Sequence, residues 1–111
     1  MPHRAKCVSQ WAAMPTPLTV VAHAHAQPGK EDALRQALLA LIEPTRREEG
    51  CIQYDLHEEN GRPGHFVFYE NWTSKETLDQ HMATPHFQAL VPRIPELCSQ
   101  PPEILTYTRI G

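Results

Sequence analysis

The stretch from His65 to Phe87, HFVFYENWTSKETLDQHMATPHF, decides the fold, because a strand period gives way to a helix period inside it. Phe66, Phe68, Glu70 and Trp72 alternate with Val67, Tyr69 and Asn71, the two-residue repeat of a strand with one face toward a core. Thr73 and Glu76 have the spacing of a Thr-x-x-Glu capping box, which predicts that a helix starts immediately after the strand. At about 3.6 residues per turn, Leu78, His81 and Met82 share one face of that helix. This face must lie on the sheet, so His81 is predicted to sit over the apolar side near Trp72. Two readings of His81 stand open: a core histidine hydrogen-bonded to a neighbour, or an acid or base facing a pocket.

Working outward, residues 51 to 58 also alternate, with Ile52, Tyr54 and Leu56 on one face. The segment NGRPG, Asn60 to Gly64, reads as the turn that joins this strand to the next. Pairing around it is predicted to set Leu56 against Phe66, Tyr54 against Phe68 and Ile52 against Glu70. Glu70 is then the odd member of an apolar face. It needs either water at the end of the sheet or a hydrogen-bond partner, because a buried unpaired carboxylate is costly.

Upstream, residues 18 to 26, LTVVAHAHA, place Leu18, Val20, Ala22, Ala24 and Ala26 on one side and Thr19, Val21, His23 and His25 on the other. Pro28 and Gly29 end this strand. From Lys30 to Glu49 a helical stripe follows: Ala33, Leu34, Ala37, Leu38, Leu41 and Ile42. Pro44 is predicted to loosen its last turns and Gly50 to terminate it. The alanines leave room beneath the helix, either for a ligand or for close packing of helix on strand. Downstream, Thr84 and Pro85 give a second helix start. Phe87, Leu90, Val91, Ile94 and Leu97 mark the buried side of a segment that Pro92 and Pro95 interrupt, and Glu103 to Ile110 alternates as a last strand.

The order strand, helix, strand, strand, helix, strand is the split β-α-β signature of a ferredoxin-like α+β sandwich, a four-stranded antiparallel sheet with its helices on one face. Residues 18–111 form this domain, and residues 1–17 are expected to be a flexible N-terminal arm. Met14, just before the ordered pattern, leaves the choice of natural start open. The uncovered face would carry Val21, His23, His25, Val67, Tyr69, Leu105 and Tyr107. Such a face is too apolar for water, so a homodimer packed sheet against sheet is expected.

At 111 residues the chain suits one domain. A net charge of −3 gives no electrostatic footprint for nucleic acid or an anionic membrane. No apolar run reaches the roughly eighteen residues of a membrane span. The three cysteines, Cys7, Cys51 and Cys98, have no short spacing and support neither a disulfide framework nor a zinc site. A cytoplasmic location is the simplest expectation. His23, His25, His57 and His65 form pairs at strand spacing, but no cysteine or carboxylate completes a recognisable tetrahedral set, so no metal is expected.

The alanine-rich first strand, PGK opening a helix, EEGCIQYDL, and FVFYENWTSKETLDQHMATPHFQAL together resemble the antibiotic biosynthesis monooxygenase domain of the dimeric α+β barrel superfamily. The resemblance covers residues 18 to 110, and its most specific parts are Glu49, Gly50, Cys51, Tyr54, Glu70, Trp72, His81, His86 and Phe87. It implies cofactor-independent oxidation of a small phenol or hydroquinone by O2, in a dry aromatic pocket between the sheet and the helices. His81 would be the acid or base, Trp72 would stack on the substrate ring, and Tyr54 would hydrogen-bond its oxygen. Phe68 and Phe87 would be apolar wall, Glu70 would orient His81 or Tyr54, and Ala22 would face the pocket. Haem degradation is a rival within the superfamily. Those enzymes place an asparagine on the first strand, where this chain has Ala22. A dimeric module that binds a small ligand without catalysis is the rival from another class.

Overall fold

In the computed structural model, which describes residues 16–111, strands β1 (Leu18–His25), β2 (Cys51–Glu58), β3 (His65–Trp72) and β4 (Glu103–Thr108) form one sheet. The expected arm lies almost entirely outside the described residues. All pairings are antiparallel and the spatial order is β2-β3-β1-β4. The helical segments are α1 (Glu31–Leu39), α2 (Ile42–Arg46), α3 (Lys75–Met82), α4 (Pro85–Leu90), a 3-10 turn (Val91–Arg93) and α5 (Ile94–Leu97). Val20, Ala24, Tyr54, Phe66, Phe68 and Trp72 from the sheet pack with Leu34, Leu38, Leu78 and Leu97 from the helices. The core thus lies on one face of the sheet, as the ferredoxin-like α+β pattern requires.

The expected first helix is two helices. Pro44 has no N–H to give to the carbonyl of Ala40, so the ladder breaks at Ala40 and Leu41 and restarts with Thr45 bonding Leu41. Beyond α4, Pro92 and Pro95 divide the chain into the 3-10 turn and the single turn of α5. Val91, expected on the buried side, is exposed.

Three local expectations are corrected. Leu56 pairs with Phe68 and Tyr54 with Glu70, two residues further along than predicted. The ladder runs deeper into the hairpin because Glu59 N–H bonds His65 O at 2.9 Å, and Gly61 and Gly64, both at positive φ, close the turn tightly. A shift of two preserves the faces, so the apolar side stays apolar. Ile52 does leave that side. The register slips between Cys51 and Gln53, Cys51 pairs with Trp72, and Ile52 becomes the extra residue of a bulge, 56% exposed. Finally, the capping box is Ser74 with Thr77: Ser74 Oγ accepts from Thr77 N–H, and Ser74 N–H donates to Thr77 Oγ1. Thr73, the predicted cap, instead donates its backbone N–H to Gly50 O at 2.9 Å.

Candidate active site

The bond from Thr73 to Gly50 ties the start of α3 to the chain leaving α2, and this contact assembles the site. Gly50 has φ +89°, and a side chain there would overlap that of Thr77. Two residues earlier, Glu48 N–H bonds Thr45 O and Glu48 O accepts from Cys51 N–H. The Glu48 carboxylate is thereby presented to α3. His81, the penultimate residue of that helix and only 2% exposed, places Nδ1 2.8 Å from Glu48 Oε2. His86, at the start of α4, places Nε2 2.6 Å from the same oxygen.

Around His81 the rings gather as the alternation of β3 predicts. The Trp72 ring lies 4.8 Å from it by centroids, Tyr54 meets it edge-on at 5.4 Å, and Phe87 does so at 5.1 Å. Tyr54 stacks on Phe68 at 4.6 Å. Trp72 Nε1 donates to Glu70 Oε1 at 2.8 Å. Glu70 thus has the partner its position demanded, and that partner is Trp72 rather than His81 or Tyr54. The hydrogen-bond partner of His81 is Glu48.

Above these residues is a cavity of about 270 Å³. Ala22, Tyr54, Phe68, Glu70, His81 and Phe87 all line it, with Met82, Leu90 and Ile94 on the helix side. Of the predicted site residues, Trp72 is the one that does not reach it. Trp72 is fully buried and backs His81 and Glu70, so in this arrangement it cannot stack on a ligand.

Burial sets the protonation states. It is the main cause that raises Glu70 to about 7, with the Trp72 bond pulling the other way. It holds the Tyr54 hydroxyl well above its ordinary value, so the phenol stays neutral. It also lowers His81, against the opposing pull of Glu48, and favours the neutral imidazole. The Cys51 thiol is pushed up to about 11 by burial and then by the nearby carboxylates, which makes it a poor nucleophile near neutral pH.

Residues 17–93 match the sequence profile of the antibiotic biosynthesis monooxygenase family. The chain belongs to that family. It is 38% identical over 88 residues to a Mycobacterium tuberculosis protein provisionally named a monooxygenase, an alignment that covers 79% of this chain and 86% of the relative. An Escherichia coli protein named "Probable quinol monooxygenase" is 36% identical over 84 residues, covering 65% of this chain and 79% of that one. Among solved structures, a Pseudomonas aeruginosa protein superposes with a TM-score of 0.84 at 36% identity, over 88% of this chain and 98% of its own. The fold is therefore that of the antibiotic biosynthesis monooxygenases. Among the described residues no helix is long and apolar enough to cross a membrane.

In this member of the antibiotic biosynthesis monooxygenase family, Glu48 is the site residue that sequence reasoning missed. EEG offered two adjacent glutamates, and only the turn at Gly50 decides that Glu48 faces α3 while Glu49 is exposed. Among the described residues, Glu48, His81 and His86 are also the group whose donor atoms could converge on a metal ion, all within 4.8 Å of one another. Two imidazoles and a carboxylate suit a transition metal. The contacts they make here, at 2.6 and 2.8 Å, have the length of charge-assisted hydrogen bonds. The histidines weighed as metal ligands from sequence lie on the other face of the sheet. His23 Nδ1 is 3.1 Å from His65 Nε2, His25 stacks on His65 at 4.2 Å, and Glu59 holds His65 Nδ1 at 2.6 Å. His57 stands opposite Val67 and is not part of this cluster.

Proposed function

We propose that this protein is a monooxygenase that oxidises a small phenol or hydroquinone with O2, drawing the electrons from the substrate itself without a bound cofactor. The observation that carries the reading is the cavity of about 270 Å³ whose wall is mostly apolar, with His23, Tyr54, Glu70 and the buried His81 as its polar members. A cavity of roughly 150 Å³ holds benzene, so this one suits one or two fused rings. His81 takes the phenolic proton at Nε2, and Tyr54 donates a hydrogen bond to the oxygen that becomes anionic. The anion passes one electron to O2, the radical pair joins at a ring carbon that bears hydrogen, His81 returns its proton to the peroxide anion, and the hydroperoxide loses water to leave a quinone. Phe68, Phe87 and Ala22 keep the ring dry and in place. Ala22 on this wall, rather than an asparagine, favours a small phenolic substrate over haem.

The proposal includes a homodimer joined through the outer sheet faces. Ile52, Tyr69, Leu105 and Tyr107 are exposed on that face, and every residue of β4 is exposed although the strand is paired with β1. A Leu105→Glu, Tyr107→Glu double variant is expected to sediment as a monomer and the wild type as a dimer. A wild-type monomer at micromolar concentration would refute this part.

The reaction is tested with an oxygen electrode, a panel of benzo- and naphthohydroquinones, and chelator in the buffer. Wild type should consume O2 well above the rate of autoxidation and His81→Ala should not. Tight quinone binding without oxygen uptake would instead identify a non-catalytic ligand-binding module.

A further inference from the structure

Glu48 Oε2 is shared by two ring nitrogens, His81 Nδ1 at 2.8 Å and His86 Nε2 at 2.6 Å. An ionised carboxylate that accepts an N–H from each satisfies both. Burial keeps the arrangement in place, since the Glu48 side chain is 13% exposed and that of His81 is 3%. With Nδ1 donating to Glu48, the free lone pair of neutral His81 is on Nε2. That nitrogen makes no hydrogen bond among the described residues, and its ring lines the cavity.

We propose that Glu48 is the positioning residue of the site: it fixes His81 in the tautomer that carries its proton on Nδ1, so that Nε2 is the proton acceptor, and His86 anchors the same carboxylate oxygen. The task of Nε2 rests on the reaction proposed above; the tautomer does not. In that reaction the phenolic O–H breaks, its electron pair stays on oxygen, and its proton goes to Nε2. The imidazolium then has protons on both nitrogens, with its positive charge against the Glu48 carboxylate. A free neutral imidazole favours the opposite tautomer, so without Glu48 the acceptor nitrogen would carry a proton for most of the time.

The tautomer is read directly by long-range ¹H–¹⁵N correlation spectra of the full chain at pH 8, with His81→Asn used for assignment. Wild type is expected to show His81 protonated on Nδ1, and Glu48→Ala to move most of the signal to the Nε2-protonated form. Glu48→Gln keeps the shape and covers the case in which the alanine variant does not fold. Its amide offers a donor to Nδ1, so it should show the same shift. In hydroquinone oxidation, Glu48→Ala or Glu48→Gln should lose about 100-fold in kcat with KM little changed. Replacing His86 by alanine should cost less. An Nε2-protonated His81 in the wild type, or an Nδ1-protonated one that persists in both Glu48 variants, overturns the assignment. A wild type that oxidises no hydroquinone counts against the reaction, and the spectra still decide the role of Glu48.

Discussion

Trp72 donates its indole N–H to Glu70 Oε1 at 2.8 Å across a single intervening residue, and the two side chains are among the most buried on β3. The bond explains how a carboxyl survives on the apolar face of a strand. Trp72→Phe keeps the aromatic bulk but removes the donor, leaving the carboxyl without its partner. A loss of about 1–3 kcal/mol is expected, read as a lower urea midpoint with an unchanged slope. A midpoint equal to wild type would show that the bond contributes nothing.

Glu70 itself gives a pH-dependent prediction. Burial raises it to about 7 from an ordinary 4.5, so the folded protein holds a proton that the unfolded chain has released. Its contribution is complete below about pH 4.5 and is lost as pH rises through 7. Glu70→Gln keeps an acceptor for Trp72 and cannot ionise. Relative to wild type, the variant should gain stability between pH 4.5 and 8, by roughly 3 kcal/mol at most. Urea denaturation at the two pH values measures this. A difference independent of pH would mean that Glu70 is already ionised in the folded state.

Gly50 joins the fold to the site. Its positive φ is strained for any residue with a side chain, and the added carbon would overlap Thr77 in the first turn of α3. Gly50→Ala should therefore cost about 2 kcal/mol or more in stability. It should also disturb His81, because the same turn sets Glu48 against α3. A shift of the His81 ring ¹⁵N signals together with a lowered melting temperature is the expected pair of results. A lowered melting temperature with unmoved signals would separate Gly50 from the site.

Much of this was legible because β3 and α3 keep strict periods. Alternation alone put Phe68, Glu70 and Trp72 on one face, and the spacing of Leu78, His81 and Met82 laid His81 over them. Features that depend on one extra or missing residue were not legible. The bulge at Ile52 leaves the composition of β2 unchanged yet turns Cys51 inward, and the hairpin register depends on how tightly Gly61 and Gly64 close the turn. The cap moved by one residue because the backbone of Thr73 is used by Gly50, which lies far away in sequence. Glu48 was missed for a related reason: its direction is set by the turn that follows it, and no period extends across that turn.

Ala22 offers a direct test of where the ligand sits. It stands between Phe68 on β3 and Ile104 on β4 in the sheet register, and its methyl borders the cavity. Ala22→Leu would extend a larger side chain into that space without changing any charge or hydrogen bond. Filling an apolar cavity commonly stabilises a fold by about 0.5–2 kcal/mol, so the variant should melt no lower than wild type. A displaced ring loses contacts across its whole face, and a loss of about 1.4 kcal/mol in binding already corresponds to tenfold. The KM for hydroquinone, or the Kd for a quinone product, should rise at least about tenfold in a protein that remains fully folded. An unchanged KM in a folded Ala22→Leu variant would place the binding site outside this cavity.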